Sequence, residues 1–368
     1  MKKFLALTVM ALYLSLLAAA AAADSGEYPR TITDSSGREV KVEMPIERII
    51  VLTTESAEAV RILGDGDTIV GVTDLIIQQS DYFPELQDRE VVGSWNEFDY
   101  EKIGRLATEG DRIVPDILVI CYPSGSYNGA SYAVDAVAAG LAPFQNIAVA
   151  AFDLNRPQTM ARELADLGVL LGREAEASDF LRWNEEHLQA VKDAVSGRER
   201  PVVYAEREAG SGMGEISTYG RGSALHDLME EAGGSNLVQE QASYPRVSWE
   251  WVVTREPDVI ILTPRTVSPD WKGLGWDPSR DGEAIQEIIN QVASRPGAEG
   301  VPAVEEGRVY VVYRDVLFGM DSVVGMTYLA SVFYPDARLD PGAVYAEYLD
   351  RLGLSYPQGR IFVYPSPG

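Results

Sequence analysis

The sequence predicts an α/β protein of two lobes joined by one long helix, and three observations carry that prediction. Strand and helix patterns alternate in two separate stretches, and the strands are continuous apolar runs such as Ile49-Ile50-Val51-Leu52 and Val259-Ile260-Ile261-Leu262. Runs of that kind belong to a mainly parallel sheet covered on both faces. Between the two stretches, Glu174 to Val195 continues for 22 residues without Gly or Pro. A helix of that length spans about 33 Å. Finally, one pattern occurs twice. Trp95 precedes Glu101, a short helical stretch, Pro115-Asp116 and an apolar strand; Tyr244 precedes Glu250, a short helical stretch, Pro257-Asp258 and an apolar strand.

The elements follow in order. Thr31 to Val42 is polar and β-prone, and Arg48 to Leu52 is a buried strand. Ser56 to Leu63 is a helix that Gly64 closes. Thr68 to Val72 and Val91 to Gly93 are strands, Glu101 to Leu106 a helix, Ile117 to Ile120 a strand, Tyr132 to Ala139 a helix and Asn146 to Phe152 a strand. From Pro157 the pattern turns helical, with Thr159 to Leu171 ending at Gly172 and Glu174 to Val195 ending at Gly197. Alternation then restarts. The strands are Pro201 to Tyr204, Val259 to Leu262 and Arg308 to Tyr313; the helices are Ser223 to Ala232, Trp249 to Thr254, Glu283 to Val292, Val323 to Phe333 and Pro341 to Leu352. The resulting organisation is an N-terminal lobe over 24–156, a helical linker over 157–197 and a C-terminal lobe over 198–368. Pro264 to Gly282 is a long loop, a common place for function.

Composition narrows the function. A net charge of −25 disfavours nucleic acid and anionic membrane as partners. Lys2 and Lys3, the apolar run Phe4 to Leu17 and the alanines up to Ala23 read as an export signal over 1–23. Left uncleaved, Phe4 to Ala23 is long enough to tether the chain to a membrane. No cysteine follows the apolar run, which argues against a lipid anchor. Cys121 is the only cysteine, so no intramolecular disulfide forms, and its apolar setting reads as a buried, inert thiol. Two histidines, His187 and His226, are too few for an imidazole-built metal site. No Gly-x-Ser-x-Gly elbow and no Ser-His-Asp set suggests hydrolysis. Gly210-Ser211-Gly212-Met213-Gly214 opens no convincing βαβ unit, so it reads as a loop. The chain reads as a binder and not an enzyme.

Several motifs together resemble the substrate-binding proteins of ABC importers for iron-siderophore, haem and vitamin B12, the helical-backbone class of periplasmic binding proteins. The carriers are Pro45 to Leu52, Ile69 to Val72, the Glu101 segment, Tyr219-Gly220-Arg221-Gly222-Ser223, Ala232 to Leu237, the Glu250 segment and Glu306 to Tyr310. Each is weak alone; their order and spacing are specific, and they cover roughly Ile32 to Leu352. The resemblance implies two Rossmann-like lobes with a ligand cleft between them and a small closing motion about the single helical spine. It implies a monomer that is exported, periplasmic or at the cell surface, and that hands its ligand to a permease dimer with its ATPase. It also implies that Glu101 and Glu250 pair with permease arginines. Two surface carboxylates suit two symmetry-related cationic pockets, where charge complementarity sets register. Both glutamates equally suit the start of an ordinary helix.

A metal chelate, a ferric siderophore or corrinoid or haem, would need aromatic faces and a few polar groups. Trp95 and Tyr244, each six residues before its glutamate, are the leading candidates, and both resemble aromatic contacts of the B12-binding member. Tyr122 and Tyr127 follow a strand at its carboxyl end, where α/β sheets bind ligands. Tyr219 and Arg221 precede a helix. Arg221 is suited to gripping an oxyanion, and Ser223 is either a further contact or a plain N-cap. Arg314 and Phe318 follow the strand ending at Tyr313. Trp271 and Trp276 either cover a ligand or pin the long loop. No cofactor is expected apart from the transported chelate. Arg314-Asp315 places adjacently the two residue types that the B12-binding member spaces apart, and the family's disulfide is missing, so a ferric chelate or haem stands level with a corrinoid. Neither histidine is expected beside the ligand motifs, which disfavours haem ligation by imidazole, while ligation by tyrosine stays open. The alternative ligand is a small oxyanion such as molybdate, against which the two aromatics argue.

Overall fold

The computed structural model describes residues 28–109, 112–124, 129–207, 214–264, 274–277 and 282–366. The export signal expected over 1–23 and the candidates Tyr127 and Trp271 lie outside these residues, as does most of the loop Gly210 to Gly214.

Contacts divide the chain into two units. The first runs to Leu154 and takes in Thr159–Trp183; the second comprises Asn155–Gln158 and everything from Asn184 onward. The stretch read as a helical linker is thereby shared out. The helix Pro157–Leu171 buries Met160, Leu164 and Leu167. Its Glu163 carboxylate accepts the Leu154 amide at 2.7 Å and the Ser35 hydroxyl at 2.5 Å. The long helix Glu174–Val195 passes from one unit into the other. Arg30 donates to Glu174 at its start, and His187 further along meets Glu347 at 2.8 Å in the second unit.

The first unit is built on a five-stranded sheet with β1 Arg48–Val51, β2 Ile69–Val72, β3 Glu90–Val91, β4 Ile117–Cys121 and β5 Ala148–Ala151. Its order is β3-β2-β1-β4-β5, and every pair is parallel. All five residues of β4 are buried, as an apolar run with helices on both faces requires. The segment Thr31 to Val42 contributes an antiparallel hairpin, Arg30–Thr33 with Glu39–Val42.

The second unit repeats the plan. Its strands are β6 Val202–Arg207, β7 Ser235–Asn236, β8 Val259–Thr263, β9 Val309–Val312 and β10 Val363–Tyr364, in the order β7-β6-β8-β9-β10. Only the β9–β10 pair is antiparallel. A helix, Ser322–Phe333, is buried at every position, consistent with its lack of any charged residue.

The repeated Pro-Asp plays a corresponding part in each unit. Asp116 binds the Arg48 guanidinium at the start of β1, and its carbonyl accepts the Glu47 and Arg48 amides. Asp258 accepts the Val202 amide at 2.7 Å and returns its own amide to the Val202 carbonyl. In both units the aspartate just before one central strand ties it to the start of the neighbouring first strand.

In each sheet the chain leaves its first strand to one side and later returns on the other. The reversal falls between β1 and β4 in the first unit and between β6 and β8 in the second. In open α/β sheets the carboxyl edge at such a reversal is where ligands bind.

Candidate functional site

In the first unit that edge carries Glu55 and Tyr122. Helix α1, Thr54–Ile62, starts just after β1 because Thr53 accepts the Ser56 amide as its N-cap. Glu55 sits in the first turn, where the helix dipole favours a carboxylate. Tyr122 follows β4 directly and donates to Glu55 Oε2 at 3.0 Å. The Tyr122 ring meets Tyr132 edge-on at 6.0 Å, and Tyr132 meets Trp95 at 5.6 Å.

Trp95 stands at the tip of a tight turn between β3 and helix α2, Tyr100–Leu106. Gly93 pairs with Phe98 across the turn, and the Ser94 amide donates to Glu97 O. A side chain on Gly93 would place its Cβ 2.2 Å from Glu97 O, and its φ of +148° excludes most other residues. The turn leaves the indole 52% exposed.

In the second unit the same edge is crowded with rings. Buried Tyr219 lies 5.9 Å from Tyr244 and 6.4 Å from Phe318. Thr263, the last residue of β8, donates to Glu206 O and so accepts from the Tyr219 hydroxyl at 2.7 Å. Burial pushes the Tyr219 phenol up to about 12. Tyr244 is 51% exposed, and the Arg207 guanidinium lies over its ring at 4.5 Å. Arg314 interacts electrostatically with Tyr219 and Tyr244. Burial works against its charge, but Asp315 and the two phenols outweigh burial and raise its pKa above the usual guanidinium value.

Trp95, Tyr244 and Val91 are the large hydrophobic side chains left exposed among the described residues.

The two glutamates are also equivalent. Asp99 caps α2 by accepting the Lys102 amide; Ser248 caps α3, Trp249–Val253, by accepting the Trp251 amide. Glu101 and Glu250 each occupy the second helical position, and both are exposed.

The structure thus brings Trp95 and Tyr122 into one group and Tyr219, Tyr244, Arg314 and Phe318 into another. The exposed Arg221 guanidinium donates to Gln239 Oε1 at 2.8 and 2.5 Å. Ser223 is an N-cap, accepting the His226 amide and donating to Gly220 O. Trp276 pins its loop by donating to the Tyr345 hydroxyl at 3.1 Å. The expectation that neither histidine lies beside the ligand motifs is corrected. His226 Nδ1 is 2.9 Å from the Asn236 amide, which also holds the Tyr219 carbonyl. Sequence reasoning missed Glu55, Tyr132, Arg207 and Thr263. The position of Glu55, Arg207 and Thr263 at or just after the end of a parallel strand was the available signal.

Each of the two α/β units thus bears an aromatic group at the carboxyl edge of its sheet. The periplasmic binding protein family matches residues 142–315. The chain is 27% identical over 241 residues to a cobalamin-binding protein of Halobacterium salinarum, a match covering 64% of this chain and 58% of that protein. It is 24% identical over 318 residues to an uncharacterized ABC transporter substrate-binding lipoprotein of Bacillus subtilis, covering 84% and 87%. The fold is similar to that of the TroA-like periplasmic binding protein FepB of Veillonella parvula, with a TM-score of 0.72 at 21% identity, covering 91% of this chain and 99% of that one. The resemblance to ABC-importer substrate-binding proteins read from the motifs holds.

Proposed function

We propose that this chain is an extracytoplasmic substrate-binding protein of an ABC importer, capturing a metal chelate and delivering it to a permease dimer with its ATPase. The observation that carries the reading is the repeat itself. In each unit an exposed ring stands six residues ahead of an exposed glutamate at the second position of a capped helix. The rings supply flat apolar contact to a large conjugated ligand. Glu101 and Glu250 supply the charges that register the protein on the permease. Names among the relatives favour a corrinoid within the chelate class. The exposed aromatic groups fit a bulky ligand better than a small oxyanion such as molybdate, which needs neither ring.

Intrinsic tryptophan fluorescence of the purified chain, titrated with cyanocobalamin, ferric siderophores, haem and molybdate, tests the reading. Saturable sub-micromolar quenching by one chelate is the expected result. A response to molybdate alone would replace the chelate with an oxyanion, and silence from all four would sink the binding-protein reading.

A further inference from the structure

Asn236 is a buried junction at the base of the second aromatic group. The orientation of its side chain is settled by the Val238 amide, which donates to Oδ1 at 3.0 Å. The amide nitrogen therefore faces the Tyr219 carbonyl at 2.8 Å and His226 Nδ1 at 2.9 Å. It has two hydrogens for those two acceptors. His226 Nδ1 must then carry a lone pair, so the imidazole is neutral with its hydrogen on Nε2. The Asn236 main-chain carbonyl meanwhile accepts from Gln239, the residue that holds Arg221. One asparagine thus ties His226 to both ends of the segment Tyr219 to Arg221.

That segment in turn positions Tyr244. The Thr218 amide donates to Pro245 O at 3.0 Å, Gly220 to Ser243 O at 3.1 Å and Arg221 to Glu240 O at 2.7 Å. The two stretches run so close that a Cβ on Gly220 would lie 2.2 Å from Ala242 O. A shift of Tyr219 to Arg221 therefore moves the stretch that carries the exposed ring.

We propose that His226 is a positioning residue for this ligand surface: neutral, it holds Asn236 against the Tyr219 carbonyl, and on gaining a proton it releases that hold. The proposal rests on the reading of Tyr219 and Tyr244 as ligand contacts. An imidazolium has no acceptor to offer the Asn236 amide. The charged groups around it are few. On its own helix, Ala224–Glu231, stand Asp227, which interacts with it electrostatically, and Glu230 one turn on. Glu230 accepts the Asn236 backbone amide at 2.9 Å and pairs with Arg200 at 2.6 Å. Arg156 faces Asp227 at 3.6 Å. The buried helix Ser322–Phe333 packs against this helix and brings no charged side chain.

Nitrogen-15 NMR of the full chain labelled at histidine tests the proposal. Two pairs of ring-nitrogen signals are expected, one pair per histidine, told apart by the variant H187Q, and His226 should show a bare Nδ1 and a protonated Nε2 at neutral pH. Affinity for the quenching chelate should fall about tenfold as the His226 signal titrates. H226Q, whose side-chain oxygen can accept the Asn236 hydrogen, should bind with a flat profile over the same span, and H226F should bind weakly throughout. A proton on Nδ1 at neutral pH, or a profile that H226Q shares with the native chain, would overturn the proposal. If no chelate binds at all, the proposed function fails, and the ring-to-ring contact of Tyr219 and Tyr244 then decides. Its loss as His226 titrates supports the positioning role; its persistence overturns it.

Discussion

Two residues show how burial sets reactivity. Cys121 ends a strand with no exposed surface, and burial pushes its thiol up to about 12. A thiol so protonated is a poor nucleophile. The native chain should leave a disulfide reagent unreacted over hours and yield one equivalent of thiol once unfolded. Tyr219 behaves similarly, raised to about 12 by burial from an ordinary value of 10.0. Because the folded phenol holds its proton more tightly than the unfolded one, the sign is definite. Its contribution is fully present below pH 10 and is lost as pH rises toward 12, an effect of about 3 kcal/mol. Denaturation followed between pH 9 and 12 should show the native chain losing stability faster than Y219F. The burial of Cys121 was readable from the apolar run around it; that of Tyr219 was not. Its neighbours Thr218 and Gly220 are polar or small, and only the fold covers the ring.

At the scale of elements, the second unit depends on a buried ion pair. Arg295 donates to both oxygens of Glu206 at 2.7 and 2.8 Å, and both side chains are buried. Trp249 lies under the guanidinium at 5.0 Å. Changing Arg295→Met strands a buried carboxylate and should cost about 3–5 kcal/mol in urea denaturation. Changing both partners to Met should recover much of that loss, since no lone charge remains. The pair also braces the end of β6, where Glu206 O meets Thr263 and Arg207 reaches Tyr244. Arg207→Gln should therefore weaken an anionic chelate more than a neutral one in parallel titrations, roughly tenfold against twofold. Element boundaries were largely legible. The helix Glu174–Val195 stands at the residues its Gly- and Pro-free run indicates. Short strands were not: Ser235–Asn236 is a two-residue strand, too brief for any period to show, and only its pairing with β6 defines it.

At the scale of the whole molecule, the repeat predicts a separation of tasks. The double change Glu101→Ala and Glu250→Ala should abolish uptake in a transport assay while leaving chelate affinity intact; a loss of affinity would remove the docking assignment. Trp95→Ala and Tyr244→Ala should do the opposite, lowering affinity roughly tenfold each with the chain still folded. The sequence by itself determined the two α/β units, the long helix and the paired aromatic and glutamate positions. These rest on local signals: apolar runs, glycine stops, caps and a motif repeated along the chain. Tertiary structure alone decided which residues share a surface. Tyr122 meets Glu55 across 67 positions because parallel strands distant in sequence end side by side, and Tyr219 meets Thr263 across 44. It likewise paired Arg221 with Gln239 and linked His226 to the Tyr219 carbonyl through Asn236. Those placements depend on hydrogen-bond partners brought together by the sheet, and a partner's identity leaves no periodic trace in the chain.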